Sequence, residues 1–116
     1  FIPAYLSGNH NIFFDTGKAD IKPESKASLD QIAAFLKAEP GVKLHVVGHT
    51  DSVGGFDSNM ALSKRRADAV AAALSKSYGI APARMVGNGV ASLAPVASNS
   101  SEEGRAKNLR VELVLQ

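Results

Sequence analysis

The chain reads as an α/β sandwich, a mixed sheet packed against helices. Leu29, Ile32, Ala33 and Leu36 recur at the spacing of one helix face, whereas residues 42–49 (VKLHVVGH) and 109–115 (LRVELVL) alternate as half-buried strands do. A second, Ala-rich helical stretch spans about 60–77. Strands separated by helices predict one layer of each.

Taken in order, NIFF at 11–14 is a short apolar run closed by Asp15, Thr16 and Gly17, which fits a buried strand and a turn. Pro23 suits the first turn of the helix that follows, and Pro40-Gly41 ends it. In the next strand Val42, Leu44, Val46 and Gly48 share one face, with Lys43, His45, Val47 and His49 on the other. The turn TDSVGGFDS leads to Asn59, expected to cap the second helix, which stops near Tyr78-Gly79. Residues 84–89 (RMVGNG) form a third strand and 92–108 a long surface loop. In the final strand Leu109, Val111, Leu113 and Leu115 face one way, and Arg110, Glu112 and Val114 the other.

Length and composition limit the function. At 116 residues and 45% apolar content the chain makes one domain with one core. No apolar run approaches the roughly 18 residues of a membrane span. The opening FIPAYLSGNHN lacks the features of a secretory signal, so the parent chain is expected to begin upstream. Cys is absent, which removes disulfides and thiolate chemistry and fits any compartment. Thirteen basic and eleven acidic residues are interspersed, for a net charge of +2, and 6% aromatic content without Trp offers little to stack on bases. Nucleic acid is not an expected partner.

Arg66 is the informative anomaly. It lies four residues from both Leu62 and Val70, on the presumed core stripe of the second helix, where a guanidinium needs an acceptor. Two candidates stand open: an internal carboxylate, the commoner arrangement, or a ligand carboxylate. Asp51 follows the carboxyl end of the 42–49 strand, where open α/β sheets place ligands, and Gly54-Gly55 leaves room for one to approach. Asp51 and Arg66 together suit a zwitterion, one taking its ammonium and the other its carboxylate. Equally, Asp51 suits a turn-stabilising Asx role.

Other chemistry finds little support. His45 and His49 are roughly 13 Å apart on a strand and cannot share a metal ion, and His49 with Asp51 makes only a two-ligand set. His10 falls in a loop. GHTDSVGG lacks the Lys-Ser/Thr ending of a phosphate loop, and GNGVAS lacks the third glycine of a dinucleotide fingerprint. No GxSxG motif or Ser with an adjacent base is present. Neither an enzyme nor a cofactor is expected.

In this order, GHTDSVGG, NMALSKRRADAV, GNGVASLAPVASN and GRAKNLRVEL resemble the OmpA-like peptidoglycan-associated family. Asn59, Leu62, Ser63, Arg66, Ala67 and Val70 match its pattern NxxLSxxRAxxV, and FFDTGKADIKP resembles its opening strand and turn. The resemblance covers residues 12–116, leaving 1–11 as a lead-in segment. It implies a βαβαββ-type fold that binds the peptidoglycan stem peptide non-covalently through meso-diaminopimelate, with Asp51 as the acidic and Arg66 as the basic ligand residue. Asn59, Leu62 and the backbone of the turn, including Thr50, Val53 and Gly54, would line the pocket. It further implies a periplasmic domain, not itself membrane-inserted, of an outer-membrane or envelope protein such as a porin, a lipoprotein or a motor stator. Where the family has NRRVE, this chain has Asn108, Leu109, Arg110, Val111 and Glu112; Leu109 replaces an Arg that can help line the pocket. An envelope protein-interaction domain with weak or lost wall binding is the alternative.

Overall fold

The computed structural model describes residues 11–116. All of the expected lead-in except Asn11 lies outside the described residues, as does His10. Strand β1 (Ile12–Phe13) is followed by a 3-10 turn (Pro23–Ser25) and helix α1 (Lys26–Ala38). Strand β2 (Leu44–Gly48), helix α2 (Phe56–Tyr78), a second 3-10 turn (Pro82–Arg84) and strand β3 (Met85–Gly89) come next, then helix α3 (Glu102–Asn108) and strand β4 (Arg110–Leu115). The sheet order is β1-β4-β2-β3; β4 runs antiparallel to both neighbours, and β2 and β3 are parallel across α2. This is the mixed sheet and βαβαββ order expected, with α3 added before the last strand.

Alternation decides what each strand buries. Ile12, Leu44, Val46, Met85 and Val111 join Leu29, Ile32, Phe35 and Leu36 of α1 and Ala67, Val70 and Leu74 of α2 in one apolar cluster. Such burial is the main favourable term in folding. Tyr78 Oη also donates to Asp30 Oδ1, tying α2 to α1.

Helix α2 approaches the sheet unusually closely at Ser63, and the sequence makes room for it. A Cβ on Gly48 would stand 1.8 Å from the Ser63 carbonyl oxygen, and one on Gly89 2.3 Å from Ser63 Oγ. Ser63 Oγ uses the contact, donating to the Met60 carbonyl and accepting from Ala91 N–H. The carboxyl ends of β2 and β3 are thereby fixed to the same turn of α2.

Three local expectations are corrected. Pro23 opens a 3-10 turn, and α1 proper begins at Lys26. Asn59 does not cap α2, which starts at Phe56 with Gly55 at the cap position; Asn59 lies within the first turns and its amide folds back onto the preceding segment. The loop expected over 92–108 ends in α3, capped by Ser101 Oγ accepting from Gly104 N–H. A seven-residue helix containing a glycine carries too little periodicity to show in the sequence.

Candidate functional site

The carboxyl end of β2 and the start of α2 meet at a tightly fastened turn. Thr50 donates its N–H to the Ala91 carbonyl and its hydroxyl to the Asp51 carbonyl. Asn59 Nδ2 donates to the carbonyls of Val53 (3.0 Å) and Asp51 (3.4 Å). Gly54, at φ 91°, takes the left-handed conformation that lets the chain reverse into α2. Asn59 therefore shapes the turn with the amide that the sequence assigned to capping.

Asp51 is 7% exposed, and its Oδ1 accepts from Val53 N–H at 3.0 Å. The Asx role is thus present. It occupies one carboxylate oxygen and leaves Oδ2 with no protein partner among the described residues. Val53 and Gly54 are exposed beside it.

Arg66 has 0% exposure. The internal carboxylate weighed from the sequence is not its partner among the described residues. Backbone carbonyls serve instead: Nε donates to Lys18 (2.8 Å), Nη1 to His49 (3.0 Å) and Nη2 to Asp15 (3.1 Å). The guanidinium carbon lies 5.4 Å from the centre of the Phe14 ring, within range of a cation–π contact. Burial pushes the Arg66 pKa down to about 10, against the opposing charge of Asp51, while Arg65 adds to the fall. The group stays cationic at neutral pH, and no carboxylate among the described residues stands within 4.0 Å of it. Three of its five N–H bonds are committed, leaving one on each terminal nitrogen. Arg66 thus pins the 15–18 segment and the end of β2 to α2 beneath the Asp51 turn.

Leu62 is half-buried one helical turn before Arg66. Leu109 lies apart from the turn. It precedes β4, is 5% exposed, and borders a groove of about 570 Å³ with Phe13, Phe14, Asp15, Thr16 and Ala106 among its lining residues; Asp51 and Arg66 are not among them. The structure brings together Thr50, Asp51, Val53, Gly54 and Asn59, sets Arg66 beneath them, and leaves Leu109 in the neighbouring groove.

Two buried polar residues, Asn108 and Arg110, escaped the sequence reading as parts of the site, and His49, weighed there beside Asp51, has a different partner. Asn108, fully buried, donates to Ala97 and Asn99 and accepts from the N–H groups of Val96 and Ala97, holding the loop before α3. His49 and Arg110 meet at Glu112. Alternation had put each on the sheet face away from the helices, but strand pairing, which brings them side by side, is not written in either segment alone.

Among the described residues no group of three or more acidic or imidazole side chains is placed to hold a metal ion. The turn presents one uncommitted carboxylate oxygen, with a buried cation near it. Residues 13–109 match the model of the OmpA family, and the chain belongs to that family. It is 43% identical over 110 residues to the probable lipoprotein YiaD of Escherichia coli (strain K12), covering 95% of this chain and 50% of YiaD. It is 46% identical over 105 residues to outer membrane protein A of Bordetella avium, covering 90% of this chain and 54% of that protein. The chain therefore spans about half the length of these curated relatives. Among solved structures, the peptidoglycan-associated lipoprotein from Burkholderia pseudomallei superposes with a TM-score of 0.89 at 33% identity, over 97% of this chain and 93% of that one.

Proposed function

We propose that residues 12–116 form a module that binds peptidoglycan non-covalently, anchoring a larger outer-membrane or envelope protein to the wall from the periplasm. The observation that carries this reading is the Asp51 carboxylate, held by Val53 N–H through one oxygen and with no partner at the other among the described residues, near a buried cation that has no described carboxylate within 4.0 Å. Family membership and the name of the Burkholderia structure support the choice of ligand. In this reading Asp51 Oδ2 takes the side-chain ammonium of meso-diaminopimelate, and Arg66 takes the carboxylate on the same carbon through its two remaining N–H bonds. Because Arg66 is covered, that contact requires the 15–18 segment to shift. Thr50, Val53, Gly54, Asn59 and Leu62 shape the pocket, and Leu109 acts from the separate groove that it lines with Phe13, Phe14 and Asp15.

Binding proceeds without bond cleavage. Asp51→Asn tests it: the amide oxygen still accepts from Val53 N–H, so the turn survives while the charge is lost. The variant should no longer pellet with insoluble diaminopimelate-type peptidoglycan. Wild-type pelleting by a folded Asp51→Asn protein refutes the clamp. The closed Arg66 gives a protein-interaction domain with weak wall binding some standing; wild-type protein that stays in the supernatant would favour it.

A further inference from the structure

Three buried side-chain nitrogens lack a hydrogen-bond partner among the described residues, and all belong to one cluster: His49 Nδ1, Arg110 Nε and Arg110 Nη1. Stranded buried polar atoms are rare in folded proteins. Their concentration at one point marks a place where the fold has kept polar groups for something other than stability.

The cluster lies on the sheet face opposite α1 and α2. His49 N–H donates to the Arg110 carbonyl at 2.8 Å, and His49 Nε2 lies 3.0 Å from Glu112 Oε1. Arg110 Nη2 is 3.8 Å from the same oxygen and donates to the Ala94 carbonyl at 3.2 Å. One carboxylate is thus shared by an imidazole and a guanidinium, and the guanidinium grips the loop after β3. That loop accepts Thr50 N–H at Ala91. The cluster reaches the Asp51 turn by two routes, along the chain from His49 to Thr50 and through the loop from Ala94 to Ala91.

The ring's bonding makes this arrangement sensitive to protons. Facing a carboxylate, Nε2 carries the proton of the neutral ring, and Nδ1 is a bare lone pair. Protonation adds an N–H at Nδ1 with no acceptor and a second positive charge beside Arg110. Burial and then the Arg110 charge hold the His49 pKa below the ordinary imidazole value, with Glu112 opposing them. From α2, Arg66 Nη1 faces the His49 carbonyl, and Asp51 lies two residues further on. From the loop after β3 the uncharged Ala94 carbonyl meets Arg110, and the Ala91 carbonyl meets Thr50 N–H. His45, on the same face of β2, is the other imidazole among the described residues.

We propose that His49, Glu112 and Arg110 are positioning residues for the Asp51 turn, and that protonation of His49 loosens the turn and weakens ligand binding in mild acid. The inference rests on the turn being the wall-binding site. Between about pH 5 and 7.5 imidazole is the side chain that ordinarily changes charge, so the ligand's own groups stay constant.

The test titrates wild type, His49→Gln and His45→Gln with a stem peptide containing meso-diaminopimelate across that range. Wild-type and His45→Gln affinities should fall together toward acid, by about tenfold for each unit separating the His49 pKa of the free and bound protein. His49→Gln keeps a donor toward Glu112 but cannot charge, and its affinity should stay level. Equal slopes in wild type and His49→Gln overturn the inference. In ligand-free wild type, the Thr50, Asp51 and Val53 amide resonances should titrate with the His49 ring; amides that stay still while His49 titrates overturn it whatever the ligand result. Absence of wild-type binding at pH 7.5 instead refutes the wall-binding reading and leaves the co-titration to decide this one.

Discussion

Arg66 and Arg110 are the two largest fully buried side chains among the described residues, and the fold accommodates them in opposite ways. Arg66 meets a carbonyl at each of its three nitrogens, drawn from two separate segments. Arg110 satisfies one nitrogen and strands two. Burying a cation is expensive unless its donors are met. Arg66 is therefore a fastening whose charge is left over, and Arg110 is a tolerated defect whose purpose lies in what it holds. The contrast separates a residue that fastens the Asp51 turn from one that, in the reading proposed above, sets its state.

The largest expected effect breaks the fastening. Arg66→Met keeps apolar bulk but strips donors from three carbonyls and disconnects the 15–18 segment from α2. Urea unfolding should show a loss of about 2–4 kcal/mol, the range for leaving buried polar groups unpaired at several points. A loss below about 0.5 kcal/mol, ordinary for surface changes, would mean that the carbonyls rehydrate freely and Arg66 is not a structural pin.

Next in size is the charge left over. Peptidoglycan with lysine at the third stem position lacks the second carboxylate, so Arg66 would gain no partner on binding. A site built for a polar group rejects the ligand that lacks it, commonly by several kcal/mol. Sedimentation with lysine-type and diaminopimelate-type walls side by side should show much weaker binding to the former. Equal binding removes Arg66 from ligand recognition and leaves it the fastening role alone.

Arg110→Met sharpens the comparison from the other side. It removes two stranded donors, and the freed Ala94 carbonyl belongs to an exposed residue that water can reach. Replacing a poorly satisfied buried ion with an apolar side chain of similar volume is often neutral or stabilising. Thermal melting should move little, while affinity for the stem peptide falls as the loop after β3 loosens. A large drop in Tm would show that Arg110 resembles Arg66 after all.

The same contrast explains what the sequence reveals. Arg66 was legible because it interrupts a helical apolar stripe, a periodicity contained in one segment. Asp51 was legible because strand ends and glycine turns announce themselves locally. The partners were not: the Lys18 and Asp15 carbonyls lie 48 and 51 residues from Arg66, and a backbone carbonyl has no sequence signature. The His49–Glu112 pair spans 63 residues and depends on the β2–β4 register that sets Val47 opposite Glu112. The sheet's mixed character followed from helices placed between strands, whereas α3 was hidden inside a polar loop.

Leu109 carries the smallest expected effect and the finest distinction. The alternation of 109–115 suggested a side chain sharing the core face of the last strand, yet β4 begins at Arg110, and Leu109 stands before it against the groove beside β1. It is absent from the main apolar cluster, which includes Val111. A longer cationic side chain at this place can lay its stem along Phe13 and Ala106 and carry its head toward Asp15 and Glu103 at the groove edge. Leu109→Arg should therefore cost less than about 1 kcal/mol of stability, as surface-reaching substitutions do. Because neither Asp51 nor Arg66 lines the groove, the gain in affinity for a stem peptide should stay under about tenfold, or 1.4 kcal/mol. Paired thermal melts and ligand titrations measure both. A fall in Tm of more than about 8 °C, beyond what 1 kcal/mol produces in a domain of this size, with no gain in affinity, would place Leu109 in the core and end its assignment to the pocket.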